Sequence, residues 1–135
     1  MTGVGSPPQR SATAGSQLTL LDPDAGARGM QAAHKQWLLA RIERSQARIG
    51  VIGAGYVGLA LAVEAAQSGF RVLCCDIDAE RVDGLNQARS YVDDVSDATL
   101  RELRQARRLE ATTRFALLSR CDVMVICVPT PLSPS

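Results

Sequence analysis

Aromatic side chains are scarce in this chain, at 4% of 135 residues: one Trp, two Tyr and two Phe. Charge of one sign is missing as well. Fifteen basic and fourteen acidic residues leave a net charge of +1, with both signs interspersed. Without a basic stripe or stacking platforms, nucleic acid is not an expected partner. No apolar run is long enough to span a bilayer, so no membrane partner is expected. The opening "MTGVGSPPQRSATAGSQ" has no apolar core of the kind a secretory signal needs. These absences point to a cytoplasmic protein. The single histidine, His34, has no metal-ligating neighbour at helical spacing and reads as a solvated residue. Four cysteines occur, Cys74, Cys75, Cys121 and Cys127, with no CxxC pair. They fall in or beside apolar runs and read as small buried hydrophobes, so no metal site is expected.

What is present begins with a composition shift. Residues 1–29 are rich in Gly, Pro, Ser and Ala and read as a disordered extension, unable to bury enough apolar surface to offset ordering entropy. Residues 30–47 hold strong helix formers. Leu38, Leu39 and Ile42 share one face and Arg41, Arg44 and Arg48 the other, with Trp37 beside them. An amphipathic helix is expected there.

From Arg48 the pattern alternates. "RIGVIGAG" reads as a buried strand, "YVGLALAVEAAQS" as a helix ended by Gly69, and "FRVLCCDI" as a second strand. Asp78 can cap "AERVDGLNQA", and Ser96 can cap "DATLRELRQARR". "RSYVDDV" reads as a loop, "LEATT" as a short extended piece, "RFALLSR" as a short helix and "DVMVICVP" as a third apolar strand. Such alternation predicts an α/β fold: a Rossmann-type parallel sheet with flanking helices over residues 48–135, incomplete at its C-terminal side.

The chemistry lies in "GAGYVG". This GxGxxG follows a strand and opens a helix, the context that gives the motif meaning. Gly53 suits the tight turn, Gly55 lets backbone approach a pyrophosphate, and Gly58 lets the helix pack on the strand. The helix N-terminus then offers unpaired N–H groups to phosphates. Asp76 ends the second strand at the spacing of a ribose-binding acid. Its charge would oppose a 2′-phosphate, so NAD is expected rather than NADP. Arg81 is placed either to approach the ribose or a phosphate, or to stand as a surface residue.

"VIGAGYVGLALAVEAAQSGFRVLCCDID", "ERVDGLN", "SYVDDV" and "ICVPTPL", in that order over about residues 48–132, resemble the UDP-glucose/GDP-mannose dehydrogenase family. "SYVDDV" and "VPTPL" are most similar to its UDP-N-acetylglucosamine 6-dehydrogenase branch. The resemblance implies oxidation of the primary hydroxyl of a UDP-sugar to a carboxylate, by two hydride transfers to NAD. It also implies a polysaccharide-biosynthetic enzyme that is a homo-oligomer when complete. Carried over, Gly53, Gly55, Tyr56, Val57, Gly58, Asp76 and Arg81 would hold the dinucleotide. Pro129 and Thr130 would lie beside the nicotinamide, with the Thr130 hydroxyl orienting a water or the sugar oxygen as the one catalytic candidate.

The family's cysteine nucleophile in its Gly-rich motif, and its lysine, asparagine and aspartate, have no counterpart in the sequence. Neither Cys121 nor Cys127 carries the flanking motif. The expected reading is therefore the N-terminal NAD-binding segment of a nucleotide-sugar dehydrogenase. The alternative is a truncated, non-catalytic Rossmann remnant that binds nucleotide weakly or packs on a partner chain.

Overall fold

The computed structural model describes residues 24–130. Residues 1–23, most of the expected disordered extension, lie outside the described residues, as do Pro131 and Leu132 of "VPTPL". The first helix, α1, runs Ala25–Glu43 rather than 30–47. It stops early because Ser45 takes a left-handed conformation, φ 53°. The N–H groups of Gln46 and Ala47 then both return to the Arg41 carbonyl, at 2.8 and 3.1 Å, and close the helix end. The apolar stripe does not become a core: no α1 residue is buried, and Leu39 and Ile42 are exposed. Arg41 fixes this last turn instead, stacking 4.9 Å from the Trp37 ring and pairing with Asp122 at 3.2 Å.

The remaining elements follow the alternation read from the sequence. They are β1 (Arg48–Ile52), α2 (Tyr56–Gln67), β2 (Arg71–Cys75), α3 (Ala79–Asn86), α4 (Asp97–Gln105), β3 (Leu109–Thr112), a 3₁₀ helix (Phe115–Arg120) and β4 (Val123–Ile126). The sheet is parallel throughout, in the order β3-β2-β1-β4. "LEATT" thus supplies an edge strand, and "RFALLSR" winds as a 3₁₀ helix.

Both expected caps form. The Asp78 carboxylate accepts from the N–H groups of Glu80 and Arg81, and the Ser96 hydroxyl from that of Thr99. All three helices after β1 contribute to one face of the sheet. There Leu59, Ala62 and Ala66 of α2, Leu85 of α3 and Leu100 of α4 meet Val51, Val72, Cys74 and Leu109 from the strands. The other face holds a smaller cluster, Leu73, Cys75 and Leu118, flanked by Ile52, Leu117 and Cys121. Packing of this kind leaves the C-terminal ends of β1 and β2 to the connecting turns, where ligands bind in open α/β sheets.

Candidate cofactor-binding cleft

The turn leaving β1 is made by glycine for two separate reasons. Gly53 has φ +93°, and a Cβ there would lie 2.6 Å from the Cys127 carbonyl oxygen. Gly58 sits directly beneath the turn, where a Cβ would fall 1.8 Å from the Gly53 oxygen. A side chain at Gly53 would push the turn off the chain leaving β4, and one at Gly58 would push α2 off the turn. Gly55 differs: a Cβ there would meet nothing nearer than Arg81 Nη1, at 3.9 Å. It serves as the N-cap of α2 and supplies no side chain to cap it. The first N–H groups of α2 therefore lack intrahelical acceptors and carry the positive end of the helix dipole.

Asp76 is 6% exposed, the one charged residue that is buried among the described residues. Its Oδ2 accepts from the Ala54 N–H at 2.7 Å and its Oδ1 from the Asp78 N–H at 2.9 Å. The carboxylate thus ties the glycine turn to the end of β2. Two backbone donors do not exhaust the acceptor sites of a carboxylate. Arg81 Nη1 stands 3.7 Å from Asp76 Oδ2 and its Nε 3.5 Å from Asp78 Oδ2. The Arg81 guanidinium also lies 5.8 Å from the centre of the Tyr91 ring. Arg81 is therefore held toward the turn, although its side chain is 45% exposed.

These groups open onto a cleft of about 880 Å³. Gly53, Gly55, Tyr56, Val57, Asp76, Arg81 and Pro129 all line it. Gly58 lies buried under the turn, and Thr130, past Pro129, is exposed and outside the lining. Ile52, Cys75, Ile77, Asp78, Phe115, Cys127 and Val128 complete the wall. Ile77 is 87% exposed and Val57 68%, so apolar surface stands ready on both sides of the turn.

The loop Ser90–Val95 contributes residues that local pattern could not assign. The Tyr91 hydroxyl donates to the Ala54 carbonyl, and the Tyr56 hydroxyl donates to the Asp94 carboxylate. Burial pushes the Tyr91 phenol up to about 12, against a smaller opposing effect of Arg81. The hydrogen bond to Asp94 raises that of Tyr56. Both phenols stay protonated donors near neutral pH and latch this loop onto the turn. Sequence spacing gives no signal for either bond, since each joins segments far apart in the chain. Among the cysteines, burial raises Cys74 to about 12 and also raises Cys75 and Cys121, so these three are thiols, not thiolates. Cys74 and Cys75 are buried as expected, whereas Cys121 and Cys127 are only partly so.

Among the described residues, no helix is long and apolar enough to cross a membrane. Nor do these residues hold a group of three or more potential metal ligands.

The family model for the UDP-glucose/GDP-mannose dehydrogenase family, NAD binding domain, matches residues 47–135. UDP-N-acetyl-D-mannosamine dehydrogenase of Pyrococcus horikoshii is 37% identical over 87 residues, covering 64% of this chain and 21% of that protein. UDP-N-acetyl-D-glucosamine 6-dehydrogenase of Salmonella typhi is 38% identical over 88 residues, covering 65% and 20%. Among solved structures, a ternary complex of GDP-mannose dehydrogenase from Pseudomonas aeruginosa aligns with TM-score 0.61 at 36% identity, covering 64% of this chain and 20% of that one. The chain thus spans about one fifth of the length of the curated relatives it matches.

Proposed function

This chain belongs to the UDP-glucose/GDP-mannose dehydrogenase family, through that family's NAD-binding domain, and on that footing we propose that it is the NAD-binding segment of an enzyme oxidising the primary hydroxyl of a UDP-linked sugar to a carboxylate. The observation that carries the reading is the convergence, in one cleft, of the uncapped N-terminus of α2 and the buried Asp76 carboxylate. One end suits a pyrophosphate and the other a ribose diol, and Gly55 leaves the path between them open.

Within this segment the residues bind and orient. Tyr56 and Val57 give backbone N–H groups to the pyrophosphate, and Asp76 gives its remaining acceptor sites to the ribose hydroxyls. Arg81, held by Asp76, Asp78 and Tyr91, stands beside both. Phe115, Val128 and Pro129 offer apolar surface on the far side. NAD, when bound, supplies the acceptor for hydride from the sugar carbon. Thr130, next to Pro129, is the residue of this segment assigned to orient a water or the sugar oxygen. The nucleophile and proton-transfer groups that the two oxidations need belong to the remainder of such an enzyme. UDP-N-acetylglucosamine is the sugar substrate assigned, on "SYVDDV" and "VPTPL". The setting is cytoplasmic, and the complete enzyme is a homo-oligomer.

Asp76→Asn tests the cofactor assignment more cleanly than Asp76→Ala. Asn keeps one acceptor, for the Ala54 N–H, and loses the one that meets the Asp78 N–H along with the charge facing the ribose, so unfolding of the variant is measured beside its binding. Calorimetric titration should show NAD binding weakened by about 1.5–3 kcal/mol, the value of hydrogen bonds to a charged group. NADP should be weakened less, or bind better, because a repulsion is removed beside Arg81. Equal losses for both cofactors would show that Asp76 supports the turn without reading the ribose.

A further inference from the structure

The opposite end of the sheet carries a second recess, of reversed charge. Arg41, Arg48, Arg71, Arg108 and Arg120 line a cavity of about 490 Å³ in which Asp122 is the one carboxylate among the lining residues. Asp122 is already committed. Its Oδ2 accepts from the Arg48 backbone N–H at 2.8 Å and from Arg41 Nε and Nη2 at 3.3 and 3.2 Å. Arg48 turns its own Nη2 to Glu110, at 3.2 Å. Arg71, Arg108 and Arg120 then remain with no carboxylate in ion-pair distance among the described residues. Arg48 Nε adds a buried donor without a hydrogen-bond partner. Gly69, at the α2–β2 turn, has φ +101°, and a Cβ there would lie 3.2 Å from Arg108 Nη1.

Gathering like charges around a recess costs energy unless an anion shares it. Guanidinium groups present forked donors that match phosphate oxygens, and the bonds are charge-assisted. We infer that this basin binds a small multivalent oxyanion of the phosphate class, about pyrophosphate in size. Three uncompensated guanidinium groups match a ligand bearing two to three negative charges. A concave recess of this volume favours a small ligand over a flat macromolecular surface. The site is distinct from the cofactor cleft. Arg48 begins β1 and the glycine turn follows its end, so a five-residue strand, about 16 Å at 3.3 Å per residue, separates the two.

The test is calorimetric titration of the full chain with pyrophosphate, with and without saturating NAD, at constant ionic strength. One saturable site that survives NAD is expected. The double variant Arg71→Ser/Arg108→Ser should lose affinity by about tenfold or more, as lost charge-assisted bonds require, while its NAD affinity is unchanged. Should that variant lose its circular dichroism signal, Arg120→Ser, on the exposed end of the 3₁₀ helix, gives the same comparison with a smaller loss. The proposal falls if no saturable binding occurs, if NAD abolishes it, if the variants bind as well as the parent, or if sulfate at equal ionic strength binds as tightly. None of these outcomes depends on the ribose role of Asp76.

Discussion

Cys74 and Cys75 are consecutive in β2, so their side chains enter opposite faces of the sheet. Both are fully buried. Cys74 lies among the side chains of α2, α3 and α4, and burial pushes its thiol up to about 12. Cys75 sits in the three-residue cluster under the 3₁₀ helix. One face is a complete core and the other is thinly covered. Glycine at position 50 lets the cover on the second face come close to β1; a Cβ there would lie 2.7 Å from Leu118 Cδ2, which would have to shift. Beyond its reach, Met124 and Ile126, paired with Gly50 and Ile52 in the sheet, are 56% and 69% exposed. Parallel sheets are ordinarily covered on both faces. The asymmetry locates the stability of this segment in the helical face and leaves the β4 side of the cleft on the weaker one.

The largest expected difference is in core truncation. Leu59→Ala, at a fully buried position on α2, should cost about 2–5 kcal/mol in denaturant unfolding. Leu118→Ala, on the thin face, should cost less than about 2 kcal/mol, since fewer neighbours close around the vacated volume. Equal losses would mean that the two faces are equivalent supports.

Alkaline pH sharpens the same contrast. A thiol whose folded value is about 12, above an ordinary value of 9.0, binds its proton more tightly in the folded state. Its stabilising contribution is complete below about pH 9 and is lost as pH rises toward 12. At about 1.36 kcal/mol per pH unit, the upper bound is on the order of 4 kcal/mol for Cys74. Tyr91 adds a loss of the same sign starting near 10.0. Unfolding free energies measured at neutral and alkaline pH should fall steeply for the parent. Cys74→Ala should flatten that fall more than Cys75→Ala, and the reverse ranking would contradict the assignment of the faces.

How much of this was legible in the sequence depends on the range of the interaction. The three glycines, Asp76 and the caps at Asp78 and Ser96 act on backbone within a few residues, or follow a spacing that βαβ geometry imposes. Motif spacing and residue type find them. The Tyr91 and Tyr56 latches join sites 37 and 38 residues apart, and nothing in "SYVDDV" marks a hydroxyl that will reach Ala54. The stripe in α1 failed as a guide for the opposite reason. Its apolar residues are placed to pack, but the left-handed Ser45 and the Arg41–Asp122 pair set where the helix ends and how it is held. The split between a thick and a thin face was illegible too, because "VMVICV" is equally apolar on both sides whatever covers it.

The smallest expected effect bears on the thin face itself. Met124 and Ile126 project from β4, an edge strand whose outer backbone groups pair with no neighbouring strand among the described residues. Exposed apolar side chains beside a free edge favour pairing between chains. Met124→Lys/Ile126→Lys replaces side chains that are already more than half exposed, so its effect on unfolding free energy should stay within about 0.5 kcal/mol. Its effect on association should be larger. Two added positive charges per chain oppose edge pairing, and size-exclusion chromatography should shift toward the monomer. A loss of more than about 1 kcal/mol, together with unchanged elution, would show that these side chains are already packed against something within the chain. In that case the second face would be closed, and the unequal behaviour of Leu59 and Leu118 would need a different cause.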